Sequence, residues 1–150
     1  IKRADFVLML MRMLEIKNIE NLSSFDDTNT NDYYYKELAT AKRLVLIQGV
    51  GNNRFAPEKE VTRQDIFVMT FRAMDALGMI NNKTNTALQN IYDDYNLISS
   101  YAAEAISFFT ENEILEGING NINPVKIADR GEIADFLATL LKSDIMMKLN

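Results

Sequence analysis

The 150-residue chain has no cysteine, no histidine and no tryptophan, and only two prolines. Without cysteine there is neither a disulfide framework nor thiolate chemistry. Without histidine as well, the usual zinc sites and the Ser-His and Cys-His nucleophile systems are out of reach. Any catalysis would rest on carboxylates, lysine, tyrosine or serine. Long apolar runs are missing too. The most notable, Phe6 to Met11, is stopped by Arg12, well short of the roughly 18 residues that cross a bilayer, so the chain reads as soluble, with no membrane insertion. Positive charge is in deficit: 16 Lys and Arg face 21 Asp and Glu, a formal charge of −5. With no basic stripe to neutralise phosphates, nucleic acid is not the expected partner.

What the chain does have is a repeat. Pro57, Thr62, Arg63, Asp65 and Ile66 recur as Pro124, Asp129, Arg130, Glu132 and Ile133, each displaced by 124 − 57 = 67 positions. A partial third copy opens the chain as Lys2-Arg3-Ala4-Asp5-Phe6, so Arg3, Arg63 and Arg130 take the same place on three equivalent helices. Thr62 with Asp65, and Asp129 with Glu132, have the spacing of an N-cap and an N3 carboxylate. Each arginine is then the first helical residue, where a cation is unfavourable by roughly 0.3–1 kcal/mol unless something negative is near. One arginine so placed reads as a partner of a neighbouring acid. Three in register, each with free amides beside it, read as anion cradles.

The period organises the chain as one domain over residues 1–150: a partial repeat at 1–20 and fuller repeats at 21–85 and 86–150. Because the chain begins within a repeat it reads as a fragment, and the lack of a signal peptide says nothing about secretion. Each fuller copy is predicted to hold a helix, a Gly/Asn-rich loop and a longer helix. The first helices are expected over Tyr33 to Ile47 and Ser99 to Leu115, closed by the left-handed glycines Gly49 and Gly117. In the longer helices, Ile133, Phe136, Leu137, Leu140 and Leu141 follow a helical stripe, Ile66, Phe67, Thr70, Phe71, Met74 and Leu77 nearly do, and Gly78 marks a stop. The methionine-rich first helix is apolar almost all round, which predicts burial on most sides. The fold class is therefore all-α, with the three longer helices packed at the centre. Asn18 to Ser24 and Asn81 to Ala87 are polar connectors.

Taken in order, these features resemble the S-layer homology family of bacterial surface proteins. The matching residues are Phe25-Asp26-Asp27, the loop ending in Phe55-Ala56-Pro57, and Thr62-Arg63-Gln64-Asp65, with Ile98 to Ile106 and Gly120-Asn-Ile-Asn-Pro124 in the next copy. The resemblance covers essentially the whole chain. It implies helix-loop-helix repeats in a pseudo-trimeric bundle that docks noncovalently on secondary cell-wall polysaccharide, outside the cell in the bacterial wall or S-layer, with grooves between repeats holding the sugar. It also implies that the repeated arginine meets an acidic group, often a pyruvate ketal. Carried onto matching positions, Arg63, Arg130 and Arg3 come first, then Asp27 and Asp94, then Gly49 and Gly117. Because there is no tryptophan, the aromatic platform falls to tyrosine, with Tyr33, Tyr34, Tyr35 and Tyr101 as candidates, and Tyr35 and Tyr101 enter the candidate site. Lys2 stands where the capping Thr would be, and Asp129 puts a negative charge beside Arg130, which ranks Arg63 first.

Other chemistries fit less well. In the run Asp26 to Asp32, a calcium loop counted from Asp27 lacks its glycine and its final glutamate, and one counted from Asp26 puts Thr28 and Thr30 at ligand positions. Glu111, Glu113 and Glu116 could supply glycosidase carboxylates, but their spacing fits a solvated helix end. Neither cofactor nor metal is implied, and the expectation is a binding module, not an enzyme. The alternative is a contact module through which copies of the protein meet in a surface lattice.

Overall fold

In the computed structural model, residues 1–81 and 86–147 are described, so the expected connector Asn81 to Ala87 lies mostly outside them. Helices carry the fold: α1 (Arg3–Met13), α2 (Tyr35–Arg43), α3 (Arg63–Ala76), α4 (Ala103–Glu111), α5 (Arg130–Lys142) and the short α6 (Asp144–Met147). Among the described residues there is no sheet, only isolated bridges such as Lys2 with Glu60 and Thr62 with Ile127. The all-α expectation holds.

Caps set the helix starts. The Thr62 hydroxyl accepts from the Asp65 amide, and Asp129 and Glu132 form a full capping box, each satisfying amides that have no intrahelical carbonyl. Lys2 offers no side-chain cap to α1.

The helix ends differ from expectation. α2 and α4 stop at Arg43 and Glu111, and the left-handed residues that close them are Val45 (φ 60°) and Glu113 (φ 56°), not Gly49 and Gly117. In both, the amides of the left-handed residue and its successor turn back onto the last turn: Val45 to Lys42 and Leu46 to Ala41, Glu113 to Thr110 and Ile114 to Phe109. The same closure ends α1 at Glu15 and α3 at Gly78. This bond pattern satisfies the carbonyls at any residue that tolerates positive φ, so glycine is favoured but not required. The first predicted helices were too long for that reason.

The core runs through one apolar cluster from Ala4 to Leu140. As expected, α1 buries residues on most sides, and α3 buries ten of its fourteen. By contrast α5 buries a single stripe of Ile133, Phe136, Leu137 and Leu140, so α3 is the more central of the two. Edge-on aromatic contacts tie the repeats together, with Phe67 on α3 5.1 Å from Phe136 on α5, and Phe71 5.3 Å from Phe108 on α4.

Candidate functional site

Two of the three helix starts that open with arginine are built into the loop of the following repeat. The amides of Arg3 and Ala4 donate to the carbonyls of Lys59 and Pro57, and those of Arg63 and Gln64 donate to Lys126 and Pro124. The amides expected to be free for an anion are therefore occupied at two of the three sites. The side chains follow the same rule. Arg3 Nε donates to the Phe55 carbonyl (3.1 Å) and Nη1 to Asp65 (3.2 Å), while Arg63 Nε donates to the Ile122 carbonyl (2.9 Å) and Nη1 to Glu132 (3.1 Å). Both arginines are buried, at 6% and 7% exposure. Burial pulls the pKa of Arg3 below its ordinary value, with Asp65 opposing that pull.

Arg130 is different. It is exposed, and among the described residues no carbonyl closes its amide and no carboxylate pairs with it. By the repeat its partner would be Asp5, the N3 residue of α1, but Asp5 accepts from the Tyr33 hydroxyl instead.

Asp27 and Asp94 hold the loops. Asp27 accepts from the amides of Phe55 (2.9 Å) and Ala56 (2.8 Å), and Asp94 from those of Ile122 (2.9 Å) and Asn123 (2.8 Å). Burial raises the Asp27 pKa, but the two amide bonds and the nearby Arg54 bring it net below the usual range. Both carboxylates thus fix the turn that carries the inward Phe55 or Ile122, and that turn in turn supplies the carbonyl that holds the arginine.

Gly49 and Gly117 are sites of close approach. A Cβ on Gly49 would lie 2.4 Å from the Arg54 carbonyl oxygen, and one on Gly117 would lie 2.9 Å from the Tyr92 ring.

The tyrosines separate. Tyr101 is half exposed and donates to Asp65 Oδ1 (2.9 Å). Its counterpart is Tyr33, 101 − 33 = 68 positions earlier, which donates to Asp5, the N3 carboxylate of α1. Tyr34 is buried against Glu58. Tyr35 is half-buried, its hydroxyl accepting from the Ser24 amide (3.4 Å).

Two grooves open beside the buried arginines. The first, about 390 Å³, brings together Arg3, Gly49, Asp65 and Tyr101 with Gln48, Lys59 and Arg72. The second, about 350 Å³, is lined by Arg63 and Glu132 with Glu113, Glu116, Asp135 and Phe136. Among the candidates, Arg3, Gly49 and Tyr101 meet in one groove and Arg63 lines the other. Gly117, Asp27, Asp94, Tyr35 and Arg130 line neither. Sequence reasoning passed over Arg72 and Lys59. Arg72 lies on the helical stripe Asp65, Val68, Met69, Arg72, and following that stripe from the N3 carboxylate finds it.

Glu132 joins three elements. Its carboxylate accepts from Arg63, from Lys126 (2.7 Å) and from the Asp129 amide (3.1 Å). Burial raises its pKa, but Lys126, the Asp129 amide and Arg63 bring it net below the usual value. Among the described residues no group of carboxylates is arranged to hold a metal, and no helix is long and apolar enough to cross a membrane.

Residues 24–67 match the family model of the S-layer homology domain. The chain is 30% identical over 142 residues, 94% of its length, to an endoglucanase of Bacillus sp. (strain KSM-635), of which it covers 15%. It is 27% identical over 143 residues, 95% of its length, to the exoglucanase XynX of Acetivibrio thermocellus, of which it covers 13%. It is also 26% identical over 139 residues, 92% of its length, to the S-layer protein EA1 of Bacillus anthracis, of which it covers 15%. The chain thus spans only a small part of each of these relatives. The family model falls on the second repeat, and the same caps and loop clamps recur in the third; residues 24–67 thus belong to the S-layer homology domain family, which anchors surface proteins to the cell wall.

Proposed function

We propose that the chain is a noncovalent anchoring module that binds an acidic secondary cell-wall polysaccharide, in pyruvylated form, through grooves between its repeats. The observation that carries this reading is the groove of Arg3, where a guanidinium, a close-packed glycine loop and the half-exposed Tyr101 line one concave surface. A sugar ring needs a flat apolar face to stack on and polar groups at its rim, and this groove has both kinds of surface. Each charge-assisted contact to a carboxylate adds roughly 1.5–3 kcal/mol, and many polymer sites per wall add avidity.

Cosedimentation with purified sacculi tests the reading. The chain sediments with native sacculi, is released once acid extraction removes the wall polymer, and binds pyruvate-depleted polymer less. Equal sedimentation with extracted sacculi would overturn the proposal. Assembly of the chain with itself at rising concentration, without polymer, would instead favour a lattice contact module. The lack of sugar release over long incubation separates anchoring from hydrolysis.

A further inference from the structure

The two grooves are copies of one another by the repeat, and their charge has diverged. From the first to the second, Arg3 becomes Arg63 and Asp65 becomes Glu132, so the buried pair is kept. One turn and two turns further along the same stripe, Val68 becomes Asp135 and Arg72 becomes Thr139, each at 135 − 68 = 67 positions. Those two positions together therefore carry +1 in the first groove and −1 in the second. On the loop side, where the shift is 117 − 49 = 68, Val45 and Gln48 correspond to Glu113 and Glu116, which add two further negative charges to the second groove.

We infer that the acidic group of the polymer is held in the groove of Arg3, by Arg72 and Lys59, and that the groove of Arg63 rejects it. This rests on the anchoring function proposed above and names which groove performs it. The buried arginines cannot be the main anion contacts, because each already gives Nε to a carbonyl and Nη1 to a carboxylate. Arg72 is half-buried and Lys59 is exposed, and among the described residues neither has an ion-pair partner. Their charge is available to a ligand in the groove they line. In the second groove an incoming carboxylate meets Glu113, Glu116 and Asp135, while Arg63 is already paired with Glu132 and Lys126, the counterpart of Lys59, is drawn onto that same carboxylate at 2.7 Å. Like charges in a concave, partly desolvated site repel more strongly than in open water.

The test is calorimetric titration of the whole chain with a methyl hexoside bearing a 4,6-pyruvate ketal, alongside its carboxylate methyl ester and the sacculi assay. The chain takes up one equivalent of the ketal, and the ester binds at least tenfold more weakly. Lys59→Gln with Arg72→Gln lowers ketal affinity by at least roughly tenfold to a hundredfold, the range of one charge-assisted contact, while circular dichroism stays native. Asp135→Val with Thr139→Arg raises the stoichiometry to two. Unchanged affinity in the Lys59/Arg72 variant overturns this assignment, as does absence of ketal binding while sacculi still retain the chain; in both cases anchoring stands. Failure of the wild-type chain to bind sacculi at all removes the anchoring function and this assignment together.

Discussion

Arg3 reaches 62 residues along the chain to Asp65, Nη1 to Oδ2 at 3.2 Å, and Arg63 repeats that reach to Glu132 at 3.1 Å. The same arginines hold the loop carbonyls of Phe55 and Ile122. The repeated arginine is thus first a rivet between repeats. Removing one side of a buried pair leaves the other charge unsatisfied, which costs about 3–5 kcal/mol in dry interiors. Because Glu132 is partly exposed and also bonded to Lys126, Arg63→Ala is expected to lower unfolding stability by about 3 kcal/mol, measured by urea denaturation. A loss below 0.5 kcal/mol would contradict the rivet. It also follows that weakened wall binding by Arg63→Ala must be corrected for folding before it is read as a lost sugar contact.

The loop clamps give a pH dependence. Asp27 and Glu132 are held net below their ordinary pKa values by hydrogen bonds and neighbouring cations, against the upward pull of burial. Groups with depressed folded values stabilise fully above their unfolded pKa, about 4, and lose that contribution as pH falls through the lower folded value. The melting temperature is therefore expected to be flat from pH 7 to 5 and to fall steeply below about pH 4. Asp27→Asn, which keeps the shape but not the charge, should be less stable at pH 7 and show a shallower acid limb. Parallel acid limbs in the two proteins would contradict this.

Gly49 and Gly117 occupy equivalent loop positions but are not equally constrained. A methyl on Gly49 runs into backbone, the Arg54 carbonyl, whereas one on Gly117 meets the Tyr92 ring, a side chain that can shift. Gly49→Ala is expected to cost about 2–3 kcal/mol by overpacking, and Gly117→Ala about 1 kcal/mol. Thermal melts of the two variants check the order, and equal losses would count against the close-approach account.

Val45 closes α2 at φ 60° and is largely exposed. A β-branched residue there carries backbone strain of order 1–3 kcal/mol, and nothing is gained in burial to offset it. Val45→Gly is expected to stabilise by about 1 kcal/mol, since relieved strain exceeds the added unfolded-state entropy. A lower melting temperature would contradict it.

Those particulars show what the sequence could reveal. The 67-residue shift, the caps at Thr62 and Asp129, the stop at Gly78 and most of the buried stripes of α3 and α5 depend on local spacing and are where the sequence places them. Leu77 and Leu141, expected on those stripes, are exposed because they stand at the helix ends, past the reach of the packed core. The ends of α2 and α4 were misread because Val45 and Glu113 make a closure that propensity assigns to glycine. The occupied amides at Arg3 and Arg63 could not be foreseen, since their acceptors lie more than fifty residues away in loops whose docking only the tertiary fold decides. Asp27 and Asp94 stood out by their repetition, yet the amides they hold are 28 and 29 residues distant. Arg72 was hidden by the repeat itself, because its counterpart is Thr139 and a search for shared residues discards what differs.

The most direct measurement is a two-dimensional amide NMR titration of the isotope-labelled chain with wall polysaccharide released from sacculi under conditions that keep its pyruvate. The account predicts that the largest shifts cluster at Gly49, Val50, Lys59, Arg72 and Tyr101, with the second groove around Glu116 and Asp135 little changed. Absence of shifts at saturating polymer, or shifts confined to surfaces away from the groove of Arg3, would contradict it.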